Sequence, residues 1–93
     1  MRITNKQLEK KIEVLNEITG NPTTPFTKVN GKLTPNRGNY HISQESGGVI
    51  LCQMASDTNF GVNNVLRLGS MTKKELYYLI DAFIQGIELG KIL

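Results

Sequence analysis

Cysteine, histidine and tryptophan are scarce in this chain, which has one Cys, one His and no Trp. The single thiol, Cys52, cannot form an internal disulfide. A zinc site needs several His, Cys or carboxylate ligands at defined spacing, and one histidine with one cysteine does not supply them. We therefore expect no bound metal and no internal cross-link.

Long apolar runs are absent as well. No run approaches the roughly 18–20 residues needed to span a bilayer, and residues 1–11 lack the apolar core of a signal peptide. The composition, 39% hydrophobic and 20% charged, is typical of a globular protein. The 93 residues predict a single domain, 1–93, located in the cytoplasm and without a membrane partner.

The chain also lacks a recognisable catalytic or phosphate-binding motif. His41 is the only histidine, so acid–base catalysis would need a partner that the sequence does not reveal. Ser46 stands outside a GxSxG nucleophile elbow. The pair Gly47-Gly48 has neither Walker nor dinucleotide-binding spacing, which favours a hairpin turn. We therefore expect no enzyme activity and no cofactor.

Two amphipathic helices are predicted, one near each end, and both begin with a capping box. Thr4 and Gln7 have that spacing at the first helix, and Thr72 and Glu75 have it at the second. Apolar residues then recur at helical spacing. The two stripes are Leu8, Ile12, Leu15 and Ile18, then Leu76, Ile80, Phe83 and Ile87, and the predicted ends are Gly20 and Gly90.

The second helix has a wider apolar arc than one sheet face usually covers. Tyr77, Leu79 and Ile84 extend it beyond the main stripe. We therefore expect a homo-oligomer whose interface includes Tyr77, Tyr78 and Ile84. Gly86, inside this helix, predicts either a closely approaching backbone or a frayed last turn.

Between the helices the pattern changes to strands joined by turns. Asn30-Gly31 predicts a tight hairpin between Phe26–Val29 and Lys32–Thr34, which neighbouring prolines confine to an edge. A second hairpin, from Arg37 to Met54, has a central strand that is apolar on both faces. The segment Val62–Leu68 predicts a third strand, or a strand with a bulge near Asn63-Asn64.

Together these elements predict an α+β fold. Its antiparallel sheet of three or four strands is flanked by the N-terminal and C-terminal helices, in the order α-β-β-β-(β)-α. We expect the helices to pack mainly on one sheet face. The opposite face, which carries His41 and Ser43, would be exposed or used in assembly.

The net charge of +3 is unevenly distributed along the chain. No acid occurs between Ile18 and Gln44 or between Thr58 and Lys74, and each stretch carries three cations. If the two stretches meet in the fold, they create a positive field that attracts anions. The alternative is that a few scattered cations on a small domain are ordinary solubility charges.

The candidate ligand-binding residues come from these two stretches. Arginine and lysine bind phosphate oxygens, asparagine reads a base edge, and an aromatic ring stacks on a base. The set is Lys28, Arg37, Asn39, Tyr40, His41 and Arg67, with Lys32 nearby. The same residues are also compatible with an ordinary basic strand entry, in which Tyr40 belongs to the core.

Four segments of the chain resemble a group of small phage and prophage proteins of uncharacterised function. They are LNEITGNPTTP (Leu15–Pro25), NRGNYHI (Asn36–Ile42), GGVILCQM (Gly47–Met54) and KKELYYLIDAFIQGIE (Lys73–Glu88). The resemblance implies a phage gene context, in which small proteins without catalytic groups act as accessory or counter-defence factors in the host-cell cytoplasm. It brings no assigned functional residue.

From these observations we expect a non-enzymatic phage-type accessory or counter-defence protein that sequesters a small anionic, nucleotide-like ligand as an oligomer. Two alternatives stay open. A nucleic-acid-binding module would share its element order with double-stranded RNA-binding domains, although the second helix begins with only Lys73 and Lys74 as basic residues. An inhibitor that docks on a host protein would use Tyr77, Tyr78 and Ile84.

Overall fold

The computed structural model describes residues 2–92, which form two helices and two small antiparallel sheets. The elements are α1 (Asn5–Thr19), β1 (Phe26–Val29), β2 (Lys32–Pro35), β3 (Tyr40–Glu45), β4 (Gly48–Met54), β5 (Val62–Asn64) and α2 (Lys73–Ile92). Strands β1 and β2 form one sheet, and β3, β4 and β5 form the other, with β4 in the centre. The predicted α+β arrangement is confirmed, and its strands divide into a three-stranded sheet and a separate hairpin.

Both helices begin as predicted, with reciprocal capping boxes. At α1 the Gln7 backbone N–H donates to Thr4 Oγ1 (3.2 Å), and the Thr4 N–H donates to Gln7 Oε1 (2.8 Å). At α2 the same two bonds join Thr72 and Glu75, each 3.1 Å long. Each box satisfies backbone donors that the first helical turn leaves without partners.

The two helices end differently. Gly20 ends α1 in the left-handed conformation (φ 71°), as predicted, and its N–H donates to the carbonyls of Asn16 and Glu17. Helix α2 continues past Gly90 to Ile92, so the predicted end at Gly90 is wrong. Apart from the helix's own backbone, no atom lies within 4 Å of the position that a Gly86 Cβ would occupy, so of the two alternatives for Gly86 the close backbone approach is not observed. Neither helix of the described chain has the length and apolar character that a membrane span requires.

The hydrophobic core lies between the helices and one face of the three-stranded sheet. Helix α1 contacts β3, α2 contacts β4, and the helices contact each other. A salt bridge from Lys11 Nζ to Asp81 Oδ1 (2.9 Å) joins the helices at the edge of this core. The core residues are Ile3, Leu8, Ile12, Leu15, Tyr40, Val49, Leu51, Leu76, Ile80 and Ile84.

A buried asparagine fastens the first helix to the sheet. Asn16, only 1% exposed, donates from Nδ2 to the Tyr40 carbonyl (3.0 Å) and accepts the Tyr40 N–H at Oδ1 (2.8 Å). Tyr40 opens the edge strand β3, so its outward backbone groups have no strand to pair with. The Asn16 amide therefore takes the place of a neighbouring strand.

The first hairpin has the predicted turn. Asn30 (φ 50°) and Gly31 (φ 80°) both have positive φ, as a type I′ turn requires. The register pairs Val29 with Lys32 and Phe26 with Pro35. This hairpin is almost entirely exposed to solvent, because it forms its own sheet outside the core.

The third strand is shorter than the predicted Val62–Leu68. It stops at Asn64, whose side chain accepts the Arg67 N–H (3.0 Å) and donates to the Leu68 carbonyl (2.8 Å). Arg67 itself has a left-handed backbone (φ 56°). The side chain of Asn64 thus replaces the strand by a turn.

The chain then returns to the edge of β4 beside Gly48. Met71 exchanges two backbone hydrogen bonds with Val49, of 2.8 and 3.0 Å. A Cβ on Gly48 would lie 2.2 Å from the Met71 carbonyl oxygen, so only glycine permits this approach.

We predict that Asn16→Leu destabilises the protein by about 3 kcal/mol or more, because it leaves a buried N–H and a buried C=O of Tyr40 unpaired. Urea denaturation followed by circular dichroism measures the change. The matched control is Asn5→Leu at an exposed position of the same helix, which should change the free energy of unfolding by less than about 0.5 kcal/mol. Equal effects of the two substitutions would show that the Asn16 amide does not hold β3.

Candidate functional site

Two of the candidate ligand-binding residues lie inside the fold. Asn39 is 0% exposed, and its Nδ2 donates to the Pro22 carbonyl (2.8 Å). Tyr40 belongs to the core, where its ring meets the Phe83 ring edge-on with centroids 6.1 Å apart. Burial raises the pKa of the Tyr40 hydroxyl, and contact with the Gln53 side chain partly opposes this. Asn39 and Tyr40 thus connect elements of the fold and are too deeply buried to form an exposed ligand-binding surface.

His41 is half-buried and carries no charge at neutral pH. Its Nδ1 is shielded from solvent and has no hydrogen-bond partner among the described residues. Burial lowers the pKa of the imidazole below its usual 6.5, and the nearby Asn39 backbone only partly offsets the effect. A neutral imidazole supplies no electrostatic attraction for an anion.

A cleft of about 480 Å³ opens between α1 and the start of β3. Its lining includes the carboxylates of Glu9 and Glu13 and contains no lysine or arginine. The remaining lining residues are Ile12, Asn16, Thr23, Pro25, Asn39, Tyr40, His41 and Ile42. The cleft therefore repels anions. The candidate residues that line it, Asn39, Tyr40 and His41, are not accompanied there by any of the candidate lysines or arginines.

A second, more polar depression lies at the edge of the sheet and contains a predicted arginine. We call it the polar hollow; its volume is about 440 Å³, and it is lined by Gln53, Asn63, Asn64, Val65 and Arg67. The register places Gln53 of β4 opposite Asn63 of β5, so two amide side chains meet across neighbouring strands. The turn held by Asn64 brings Arg67 back beside them.

Arg37 is connected to the polar hollow through the backbone of the next residue. The Gly38 N–H donates to the Met54 carbonyl (2.9 Å), and Gln53 Nε2 donates to the Gly38 carbonyl (3.2 Å). Arg37 is exposed and directly precedes Gly38. Gln53 is therefore hydrogen-bonded to the residue that follows Arg37 and shares the polar hollow with Arg67.

The two acid-free stretches meet in the fold, as the charge hypothesis requires. The rings of Phe26, in the first stretch, and Phe60, in the second, lie with centroids 5.5 Å apart. The two stretches hold six cations and no acid, whereas the rest of the chain holds five cations and eight acids. We call the surface of residues 19–43 and 59–74 the basic face; Glu45 and Asp57 lie just outside it. Around Gln53, at the C-terminal end of β4, these stretches contribute Arg67 and the residue that follows Arg37, and a local excess of positive charge attracts anions.

Several residues of this surface were missed by the reasoning from sequence. Gln53 and Phe60 lay in segments that were interpreted only as strand or loop, and Asn63 was interpreted only as part of a strand or its bulge. The available signal was Asn63-Asn64, since two amides in sequence are unusual inside a strand. Their meeting with Gln53 depends on strand register, which no local pattern supplied.

The three residues expected at an oligomer interface have different environments. Ile84 is part of the core of its own chain. Tyr77 is half-buried, with Lys11 Nζ 4.9 Å from its ring centroid. Tyr78 is 50% exposed on the outer side of α2. Of the three, Tyr78 presents the most surface for a second subunit.

The described part of the chain contains no group of three or more His, Cys, Asp or Glu residues that could hold a metal ion. Cys52 is buried, and burial raises the pKa of its thiol, with a smaller contribution from Glu45. The thiol is therefore protonated at neutral pH and a poor nucleophile.

Comparison with protein-family models, curated proteins and solved structures finds no match for this chain. The resemblance to phage proteins stays a prediction from the sequence.

We predict that His41 titrates below pH 6.5 in the folded protein, because burial disfavours the imidazolium. The unfolded chain then binds the proton more readily, so the free energy of unfolding falls as the pH drops below about 6.5. The only histidine gives one imidazole Cε1–H resonance, whose shift can be followed by NMR with and without urea. A folded midpoint at or above the midpoint in urea would contradict the assignment.

Proposed function

We propose that this protein is a non-enzymatic binding protein that captures a small anionic, nucleotide-like ligand on its basic face. The observation that carries the proposal is the polar hollow, a depression that Arg67 shares with Gln53 and Asn63 and whose lining contains no acidic residue. Charge and hydrogen-bonding capacity occur there together.

The chemistry of these side chains suits a phosphorylated ligand. An arginine guanidinium donates two parallel hydrogen bonds to a phosphate and keeps its charge at any physiological pH. An amide both donates and accepts, which matches the edge of a base or a ribose hydroxyl. Because the Asn64 amide already holds the turn, we assign recognition to Asn63 and Gln53 and the phosphate to Arg67 and Arg37.

We propose that the protein acts by sequestering this ligand. A phage protein without catalytic groups can lower the free concentration of a host nucleotide signal by binding it, and the resemblance of this chain to phage proteins is consistent with that role. We further propose that the protein acts as a homo-oligomer through the outer side of α2. Tyr78, Leu79 and Leu89 are exposed there.

We predict that ADP and inorganic pyrophosphate bind the wild-type protein, as measured by isothermal titration calorimetry. Removing the guanidinium of Arg67 should weaken both about ten- to a hundred-fold, since a hydrogen bond to a charged group contributes roughly 1.5–3 kcal/mol. Arg67→Asn is the suitable variant because asparagine tolerates the left-handed backbone of this position. Arg37→Ala should weaken binding in the same direction.

The matched control is Arg2→Ala, which removes the same charge from an exposed position outside the basic face. Equal weakening by Arg2→Ala would assign the effect to net charge instead of the polar hollow. Native mass spectrometry of protein purified from cells reports the subunit number and any captured ligand. The proposal would be contradicted if neither probe binds and native mass spectrometry shows a monomer without a bound ligand.

A further inference from the structure

The cleft between α1 and the start of β3, which we call the acidic cleft, carries two carboxylates on one side of a helix. Glu9 and Glu13 line it and stand four residues apart in α1, so they are neighbours on the helix surface. Neither forms a salt bridge with the residues that the structure describes. Like charges at this spacing repel each other, and a cation in the cleft would relieve the repulsion.

A buried hydrogen-bond acceptor without a partner lines the same cleft. Asn39 is 0% exposed, and its Nδ2 donates to the Pro22 carbonyl (2.8 Å). Its backbone N–H donates to the Asn36 carbonyl (3.2 Å), and its carbonyl accepts the Met54 N–H (2.9 Å). Only the side-chain oxygen, Oδ1, has no partner among the described residues. It is therefore the polar atom of Asn39 that is left for a ligand in the cleft.

His41 contributes a second buried atom of this kind, its Nδ1. Within residues 2–92, Asn39 Oδ1 and His41 Nδ1 are the buried side-chain polar atoms without a hydrogen-bond partner, and both residues line the acidic cleft. Buried polar atoms in proteins are nearly always hydrogen-bonded. Their occurrence in one cleft indicates a partner that comes from outside the chain.

The polar groups of the cleft favour a ligand with positive charge and N–H donors. The carboxylates of Glu9 and Glu13 and the Asn39 amide oxygen only accept hydrogen bonds, whereas a primary ammonium has three donors and no acceptor. The volume of about 480 Å³ is ordinary for a small-molecule site. Ile12, Pro25 and Ile42 add apolar lining that suits a short alkyl chain.

We infer that the acidic cleft binds a short aliphatic diamine, whose two ammonium groups match the two carboxylates of Glu9 and Glu13 and supply a donor for Asn39 Oδ1. The inference does not rest on the proposed function, because the acidic cleft and the polar hollow have no lining residue in common. Arg67→Asn, which should weaken ADP and pyrophosphate, should leave diamine affinity unchanged.

The first test measures the role of the carboxylates with 1,4-diaminobutane as the probe in isothermal titration calorimetry. Glu9→Gln and Glu13→Gln should each weaken binding about ten-fold, because each removes a charged hydrogen-bond acceptor. The matched control is Glu17→Gln, which removes the same charge from an exposed position one turn further along α1 and outside the cleft lining. It should change the affinity less than about two-fold.

The second test separates hydrogen bonding from charge. The hexamethyl derivative of 1,4-diaminobutane keeps both positive charges but has no N–H, so it should bind at least about ten-fold more weakly. Because Asn39 also holds Pro22, its replacement can disturb the fold, and the wild-type protein is used instead. The side-chain NH₂ signals of Asn39 in a ¹H–¹⁵N spectrum should shift with 1,4-diaminobutane along the calorimetric saturation curve.

Four results would overturn the inference. Absence of saturable binding of 1,4-diaminobutane would leave Asn39 Oδ1 to a water molecule. Equal weakening by Glu17→Gln would reduce the effect to the net charge of α1. Equal affinity for the hexamethyl derivative, with unmoved Asn39 side-chain signals, would remove the hydrogen bond. Tighter binding of a lysine-containing pentapeptide than of the diamine would make the cleft a peptide site. None of these results bears on the binding of ADP or pyrophosphate, so the proposed function is tested separately.

Discussion

The fold depends on one buried amide, the side chain of Asn16, which satisfies both backbone groups of Tyr40. An apolar residue there would leave an edge strand with unpaired groups inside the core, at a cost that a 93-residue domain can hardly tolerate. By holding Tyr40, Asn16 sets where β3 begins on α1. Strand β3 then positions β4, and β4 positions β5 and the bridge to Met71. These contacts therefore extend from α1 through the sheet to the surface residues that follow β5.

The arrangement of the helices and strands determines where the charged residues lie. Six of the eight acids are on the two helices, which cover one face of the sheet. The cations of the two acid-free stretches lie in the hairpin, in the approach to β3 and in the segment from β5 to α2. Because β4 pairs with β3 on one side and with β5 on the other, the two stretches converge at its C-terminal end, around Gln53. The meeting of the two stretches is thus a consequence of strand order, and the polar hollow forms where Gln53 of β4 meets Asn63, Asn64, Val65 and Arg67 of the second stretch.

The features that follow from neighbouring residues could be predicted from the sequence. Both capping boxes, the Asn30-Gly31 turn and the α+β class are of this kind, since a few adjacent side chains determine each. What could not be predicted depends on contacts between distant residues. Asn16 occupies a position on the apolar side of α1, and helical periodicity gives no reason for an amide there. Asn39 and Tyr40 were candidate ligand-binding residues because of their residue types. The packing around the start of β3 shows that both are buried. The early end of β5 depends on the side chain of Asn64, which propensity does not reveal.

We propose that the converged acid-free stretches form one nucleotide-binding face. A ¹H–¹⁵N NMR titration of the wild-type protein with ADP tests it most directly. The account predicts that the amide signals of Gln53, Asn63 and Arg67 shift together with one saturation curve, while those of Glu9 and Glu13 in the acidic cleft stay in place. Shifts confined to the acidic cleft, or no saturable shift at all, would contradict it.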